Sequence, residues 1–234
     1  MSDQVAVVVG AGPGLGLALG KTFAGAGMRV ALALRSPGKL EPLGAWADGM
    51  AMLYGCDAAD PTDVDALFEK VEAELGTPSV VVFNAGTFEP GGILEVKPQD
   101  FERCWRIGCF GGFLVGQAAA RRMAPAGAGT IIFTGATASL RGSARFVNLA
   151  SPKFGLRAVA QSMARELGPK GLHIAHVIID GQIDSERYRH LAADRGPDSL
   201  LSPDAIAENY LHLHRQPRSA WTFELDLRPW VERF

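Results

Sequence analysis

Short apolar runs alternate with helix-patterned segments along the whole of this chain, and no other feature of the sequence restricts its fold so far. The runs occupy 5–9, 28–34, 51–54, 79–83, 130–134 and 172–179 and are rich in Val, Ile, Leu and Ala. Strands buried on both faces read as continuous apolar runs of this kind. Between them, 14–26, 61–75, 98–123 and 151–167 carry apolar residues at helical spacing, and 61–75 opens with Pro61 and acids in its first turn. Parallel strands need crossovers. Apolar strands joined by helices therefore predict an α/β fold, a doubly wound parallel sheet of about seven strands with helices on both faces. The alternating 220–227 supplies the seventh strand and begins a C-terminal strand and tail, 220–234. No repeat or linker interrupts the pattern, so 1–234 reads as a single domain.

One segment, 180–203, breaks the rhythm, being charged and carrying Gly196-Pro197. It follows the C-terminal end of a strand, where open α/β sheets bind ligands. It reads either as a substrate-covering loop or as an ordinary surface excursion.

Composition excludes several classes of function. A net charge of −2 without a long basic run argues against nucleic acid and anionic membrane as partners. No apolar stretch approaches the roughly 20 residues a membrane helix needs. Residues 5–19 lack a basic n-region and are interrupted by Gly and Pro, unlike a signal peptide. Cys56, Cys104 and Cys109 are odd in number and show no C-x-x-C spacing, which suits reduced thiols and a cytoplasmic location. No metal site is expected: His212 and His214 lie two apart, on different sides of a helix.

The first run leads directly into Gly10-Ala11-Gly12-Pro13-Gly14-Leu15-Gly16. Strand, glycine turn and helix in that order open a phosphate-binding site: glycines let the backbone approach a pyrophosphate, and the helix aims its N–H groups at it. Gly is 28 of 234 residues, so the turn alone carries little weight. Its companions add more. Cys56-Asp57 closes the third run, Asn84-Ala85-Gly86 follows the fourth, Lys153 stands near a helix start, and Asp180-Gly181 follows the sixth.

With Gly10, Gly14 and Gly16 spaced as G-x-x-x-G-x-G, these five landmarks in order resemble the short-chain dehydrogenase/reductase family over nearly the whole chain. The resemblance implies a Rossmann domain that binds a nicotinamide dinucleotide. By it, Gly10, Gly14, Leu15, Gly16, Asp57, Asn84, Ala85, Gly86 and Gly181 are cofactor-binding, with Asp57 at the adenine. Lys153 then belongs at the nicotinamide ribose, and Asp180 departs from the usual Pro-Gly. The resemblance further implies a small-molecule substrate. It also implies a homodimer or homotetramer built through the helices near 98–123 and 151–168, with 221–234 adding contacts.

Cofactor choice turns on the end of the second run. NAD binders of this fold place a carboxylate there to accept the ribose hydroxyls. This chain has Leu34, followed by Arg35 and Ser36. An apolar residue offers no acceptor, whereas Arg pairs bidentately with a 2′-phosphate, so NADP(H) is favoured over NAD(H). Lys39 adds charge nearby.

The same resemblance exposes a gap. The family draws its proton from a Tyr four residues before the Lys, with a Ser polarising the substrate oxygen and an Asn on an earlier helix holding a water. Here those positions hold Leu149, Ala136 and Gly108, and only Lys153 remains. Loss of a general acid commonly costs about 100- to 10,000-fold in rate. Tyr188, with Asp184, Ser185 and His190 nearby, is the tyrosine that could reach the nicotinamide end, though packing is its plainer role. Tyr54 and Tyr210 read as structural. Thr137, Ser139 and Asn148 flank the emptied positions and could hold a ligand or a water, with solvated or backbone-bonded roles the plainer reading. Arg141 and Arg145 suit either an acidic substrate or an exposed loop, and Cys109 a small buried hydrophobe.

Three functions follow as expectations. The first is an NADP(H)-dependent oxidoreductase with an atypical active site, acting on activated carbonyls such as conjugated or quinone-like acceptors. The second is a catalytically inactive nucleotide-binding sensor or assembly subunit. The third is a non-redox lyase or isomerase using the same pocket.

Overall fold

A computed structural model describes residues 4–38 and 49–233. Lys39 lies outside the described residues. Seven strands form one sheet: β1 Val5–Val9, β2 Arg29–Leu34, β3 Ala51–Gly55, β4 Val80–Phe83, β5 Gly129–Thr134, β6 Leu172–Ile179 and β7 Glu224–Leu227. Their order is β3-β2-β1-β4-β5-β6-β7, and every pairing is parallel, as the apolar runs predict. Register sets Val9 beside both Ala33 and Phe83, so β1, β2 and β4 end nearly flush along one rim.

The period of two in each strand divides the core into two layers. Val5, Val7 and Val9 face α2 (Pro61–Glu74), α4 (Gly111–Met123) and α5 (Val147–Leu167), where Phe68, Val115 and Leu156 are buried. Ala6 and Val8 face α1 (Leu15–Gly25) and α7 (Pro203–Arg215), against Leu19, Phe23 and Tyr210. Caps fix several helix starts. The Asp60 side chain accepts from Thr62 N and Asp63 N ahead of Pro61, and Ser202 Oγ accepts from Ala205 N ahead of Pro203.

Two helices differ from the sequence expectation. Instead of one helix over 98–123, α3 (Pro98–Trp105) runs into a π-helical turn, Arg106–Phe110, and then into α4. Gly108, Gly112 and Gly116 repeat every fourth residue across that junction. A Cβ at these positions would stand 2.9 Å from Pro152 Cβ, 2.2 Å from Leu156 Cδ1 and 2.9 Å from Phe133 Cζ, so the stripe lets the backbone rest on α5 and on the sheet. The second difference is that α5 begins at Val147 rather than 151 and contains Pro152, which lacks the N–H for the Asn148 carbonyl.

Segment 180–203 is not irregular throughout. Ile183 bridges Leu201, and a short helix, α6 (Arg189–Arg195), lies between them. The final strand is shorter than the expected 220–227; it forms the sheet edge after a 3-10 turn, Arg218–Ala220.

Candidate functional site

Between β1 and β4 the chain order reverses, and a crevice opens at the carboxyl ends of the strands, the place where such sheets bind ligands. It measures about 290 Å³ and is lined by Gly10, Gly12, Arg35, Asp57, Asn84 and Gly86 among others. Gly10 is required twice over: its φ is +94°, and a Cβ there would stand 2.4 Å from Ala85 N. Asn84 Nδ2 donates to Gly10 O at 3.0 Å, tying the Asn84-Ala85-Gly86 turn to the glycine turn. Gly14, Leu15 and Gly16 are not on the crevice wall. Gly14 caps α1, Leu15 is buried, and a Cβ on Gly16 would meet Ala11 Cα at 2.6 Å, so these residues seat the helix whose N-terminus faces the crevice.

At the far end of the crevice, Asp57 Oδ1 accepts from Ala59 N at 3.0 Å, and Asp57 N donates to Asp63 Oδ2 at 2.9 Å. Arg35 is exposed on the rim beside Leu34 and Ser36, without an ion-pair partner among the described residues. A planar donor fork with no carboxylate at the end of its own strand is suited to a phosphate monoester.

Lys153 is buried in α5 and donates from Nζ to Thr134 O at 2.6 Å. Burial pulls its pKa from the usual 10.5 to about 8, because the apolar surroundings disfavour the ammonium. A Cβ on Gly86 would stand 3.8 Å from Nζ, so the lysine reaches the inner end of the crevice. Behind it, His176 is fully buried with Nδ1 3.0 Å from Glu224 Oε2, and Arg157 forks onto the same carboxylate at 2.7 and 2.8 Å. Burial holds His176 down at about 4, so it is neutral, and the group braces α5 against β6 and β7.

A second cleft of about 420 Å³ adjoins, lined by Phe88, Thr134, Thr137, Phe146, Leu149 and Tyr188 among others. Ala136 and Leu149 both face it. Gly108 does not; it is buried, with its bare Cα turned to Pro152. Tyr188 stands on the cleft wall with the Arg187 guanidinium 5.3 Å from its ring centre. Gly181, at φ +146°, lines this cleft rather than the first crevice.

The remaining candidates fall into place. Tyr54 donates to Glu74 at 2.8 Å, and Tyr210, fully buried, shares a 2.9 Å hydrogen bond with Thr134 Oγ1; both are structural. Asn148 Nδ2 donates to Glu89 O at 3.0 Å, and Ser139 Oγ accepts from Ala136 N at 3.1 Å, so both are backbone-bonded. Arg145 pairs with Glu95 at 3.5 Å, away from the cleft, whereas Arg141 lines it. Burial raises the Cys109 thiol, and Cys56 to about 12, so neither is a ready nucleophile. His214 Nδ1 lies 3.0 Å from Thr130 Oγ1, and no group of metal-ligating side chains occurs among the described residues.

Thr137 corrects the sequence reading. Its hydroxyl donates to a side chain, Asp180 Oδ1, rather than to the backbone. Asp180 is buried and meets Arg228 Nη2 at 3.3 Å. The signal was present in the sequence as an acid where Pro-Gly is usual, but its partner is 43 residues away.

Comparison with known proteins gives a consistent result. The profile of the short chain dehydrogenase family matches residues 4–195. The chain is 33% identical over 187 residues to 3-oxoacyl-(acyl-carrier-protein) reductase MabA of Mycobacterium avium, covering 79% of this chain and 69% of that protein. A short-chain dehydrogenase structure from Rhodopseudomonas palustris superposes with a TM-score of 0.86 at 39% identity, covering 98% of this chain and all of that one. A metagenomic short-chain oxidoreductase in complex with NADP has a TM-score of 0.85 at 28% identity, covering 99% of each chain.

Proposed function

The chain belongs to the short chain dehydrogenase family, and we propose that it is an NADP(H)-dependent oxidoreductase of a divergent branch that works without the Tyr, Ser and Asn of its relatives. Buried Lys153 carries this reading. It donates to the carbonyl of Thr134, a residue of the second cleft, and its Nζ lies 3.8 Å from the Cβ position of Gly86 in the first, with its charge held in surroundings whose burial disfavours it.

The residues present fit the group. Gly10 leaves backbone space that a Cβ would fill, the start of α1 faces the pyrophosphate position, Asp57 serves the adenine end, Arg35 the 2′-phosphate and Lys153 the nicotinamide ribose. When bound, the nicotinamide supplies or accepts the hydride. The chain holds the substrate in the second cleft, where Phe88, Phe146, Leu149 and Ile183 offer apolar contact. A small carbonyl or alcohol with an apolar body suits those walls.

The metagenomic structure holds NADP, which supports the same choice here. NADPH at 100 times its Kd should raise the melting temperature by roughly 5–10 °C. Arg35→Ala should weaken NADPH binding about 10- to 100-fold and leave NADH nearly unchanged, as loss of a charge-assisted hydrogen bond does. Equal losses for both cofactors would overturn the 2′-phosphate role. Turnover is tested by NADPH absorbance with enone, quinone and ketone acceptors.

A second reading is favoured by Leu149, Ala136 and Gly108, none of which can give a proton: a protein that binds the nucleotide without turning it over. NADPH binding with no turnover of any acceptor would select it. The proposal also includes self-association through Trp105 and Phe113, which flank the π-helical turn, and Phe154 on α5, all part-exposed.

A further inference from the structure

Beside Ala136 and Leu149, the second cleft carries a hydroxyl–carboxylate pair, Thr137 with Asp180. Thr137 lines the cleft, and its hydroxyl proton is committed to Asp180 Oδ1. Asp180 is 5% exposed and has the Arg228 guanidinium on its other side, which itself pairs with Asp226. A hydroxyl whose hydrogen is spent on a carboxylate presents only lone pairs to what lies in front of it. Phe88, Phe146, Leu149 and Ile183 give the cleft an apolar part, while Arg141, Gln182, Tyr188 and Glu232 also line it. Whatever group meets Thr137 Oγ1 must therefore bring a hydrogen. An alcohol does so, and a carbonyl oxygen does not.

We infer that Thr137 and Asp180 form a proton relay for an alcohol substrate with an apolar body, replacing the missing tyrosine. The inference rests on the oxidoreductase reading above. In oxidation the substrate O–H bond breaks and its proton passes to Thr137 Oγ1. The Thr137 hydroxyl proton passes in turn to Asp180 Oδ1. The carbinol C–H pair leaves as hydride for the nicotinamide, the oxidant, and the C=O bond forms. Reduction starts from the protonated Asp180 and returns both protons along the same path. Thr137 touches the substrate and is the catalytic residue of the pair; Asp180 acts through it and positions it.

The test uses cyclohexanol and cyclohexanone with the intact protein, Thr137→Val, Thr137→Ser and Asp180→Asn, each first shown to be folded by its NADPH-dependent melting shift. By calorimetric titration, Thr137→Val should bind cyclohexanol about 3- to 10-fold more weakly and cyclohexanone with unchanged affinity. NADP-dependent oxidation of cyclohexanol should fall about 100-fold or more in Thr137→Val and Asp180→Asn, and recover in Thr137→Ser. Wild-type binding and turnover in Thr137→Val would overturn the relay while leaving the oxidoreductase reading in place. A wild-type protein that binds NADPH but oxidises neither cyclohexanol nor benzyl alcohol, and reduces no acceptor, would overturn that reading and the relay with it.

Discussion

Lys153 holds its ammonium in a buried place with one hydrogen bond, to the Thr134 carbonyl. Its folded pKa of about 8 lies below the ordinary 10.5, so between those values the unfolded chain binds a proton that the native chain does not. Lys153 therefore opposes folding in full below pH 8, and the penalty fades as pH rises toward 10.5. Lys153→Met should stabilise the cofactor-free protein at pH 7 by up to about 3 kcal/mol, with the gain shrinking to little near pH 10.5, while NADPH binding weakens. Buried thiols raised at Cys56, Cys104 and Cys109 act in the opposite sense above about pH 9. The difference between wild type and variant in urea unfolding at pH 7 and 10 is thus the measure, and a pH-independent difference would refute the account. Gly10, Asn84 and Lys153 were legible in the sequence because each follows a local pattern at the end of a strand or near a helix start. The Thr137–Asp180 pair was not, because strand order brings its members together and no local spacing records that.

At the level of elements, the glycine stripe on the π-turn and α4 sets how closely that helix approaches α5. Gly112 is its tightest point, where a Cβ would stand 2.2 Å from Leu156 Cδ1 and 3.2 Å from Phe83 Cε1. Gly112→Ala should therefore destabilise by about 1–3 kcal/mol despite the better helix propensity of Ala, as overpacking does. Gly25, on the same kind of element but with nothing within 4 Å of its Cβ position, is the control: Gly25→Ala should be neutral or stabilising. Chemical denaturation of both variants decides the point, and equal effects would show that packing is not the cause. The period of 98–123 gave the helix but not its π-helical turn, since a widened turn leaves no mark on apolar spacing. Pro152 misplaced the start of α5 for a related reason: Pro favours first turns, yet here it stands inside the helix.

For the whole molecule, the order of strands and helices was readable almost completely, because parallel sheets force both periodicities into the sequence. The extent of the fold's partners was not. Trp105, Phe113 and Phe154, on α3, α4 and α5, are each between 37% and 43% exposed, and aromatic side chains are enriched in interfaces. The protein is expected to run as a dimer or larger in light scattering coupled to size exclusion, and Phe113→Glu with Phe154→Glu to shift it toward monomer without loss of the NADPH melting shift. A monomeric wild type would remove the self-association proposal.

The close contact of Gly108 with Pro152 bears on how the site can be rebuilt. A side chain at 108 needs Pro152 gone first, since the Cβ alone would lie 2.9 Å from the proline ring. Placing Asn at 108 alone therefore meets a packing barrier before its chemistry is ever tested, and the change has to be paired with one at 152.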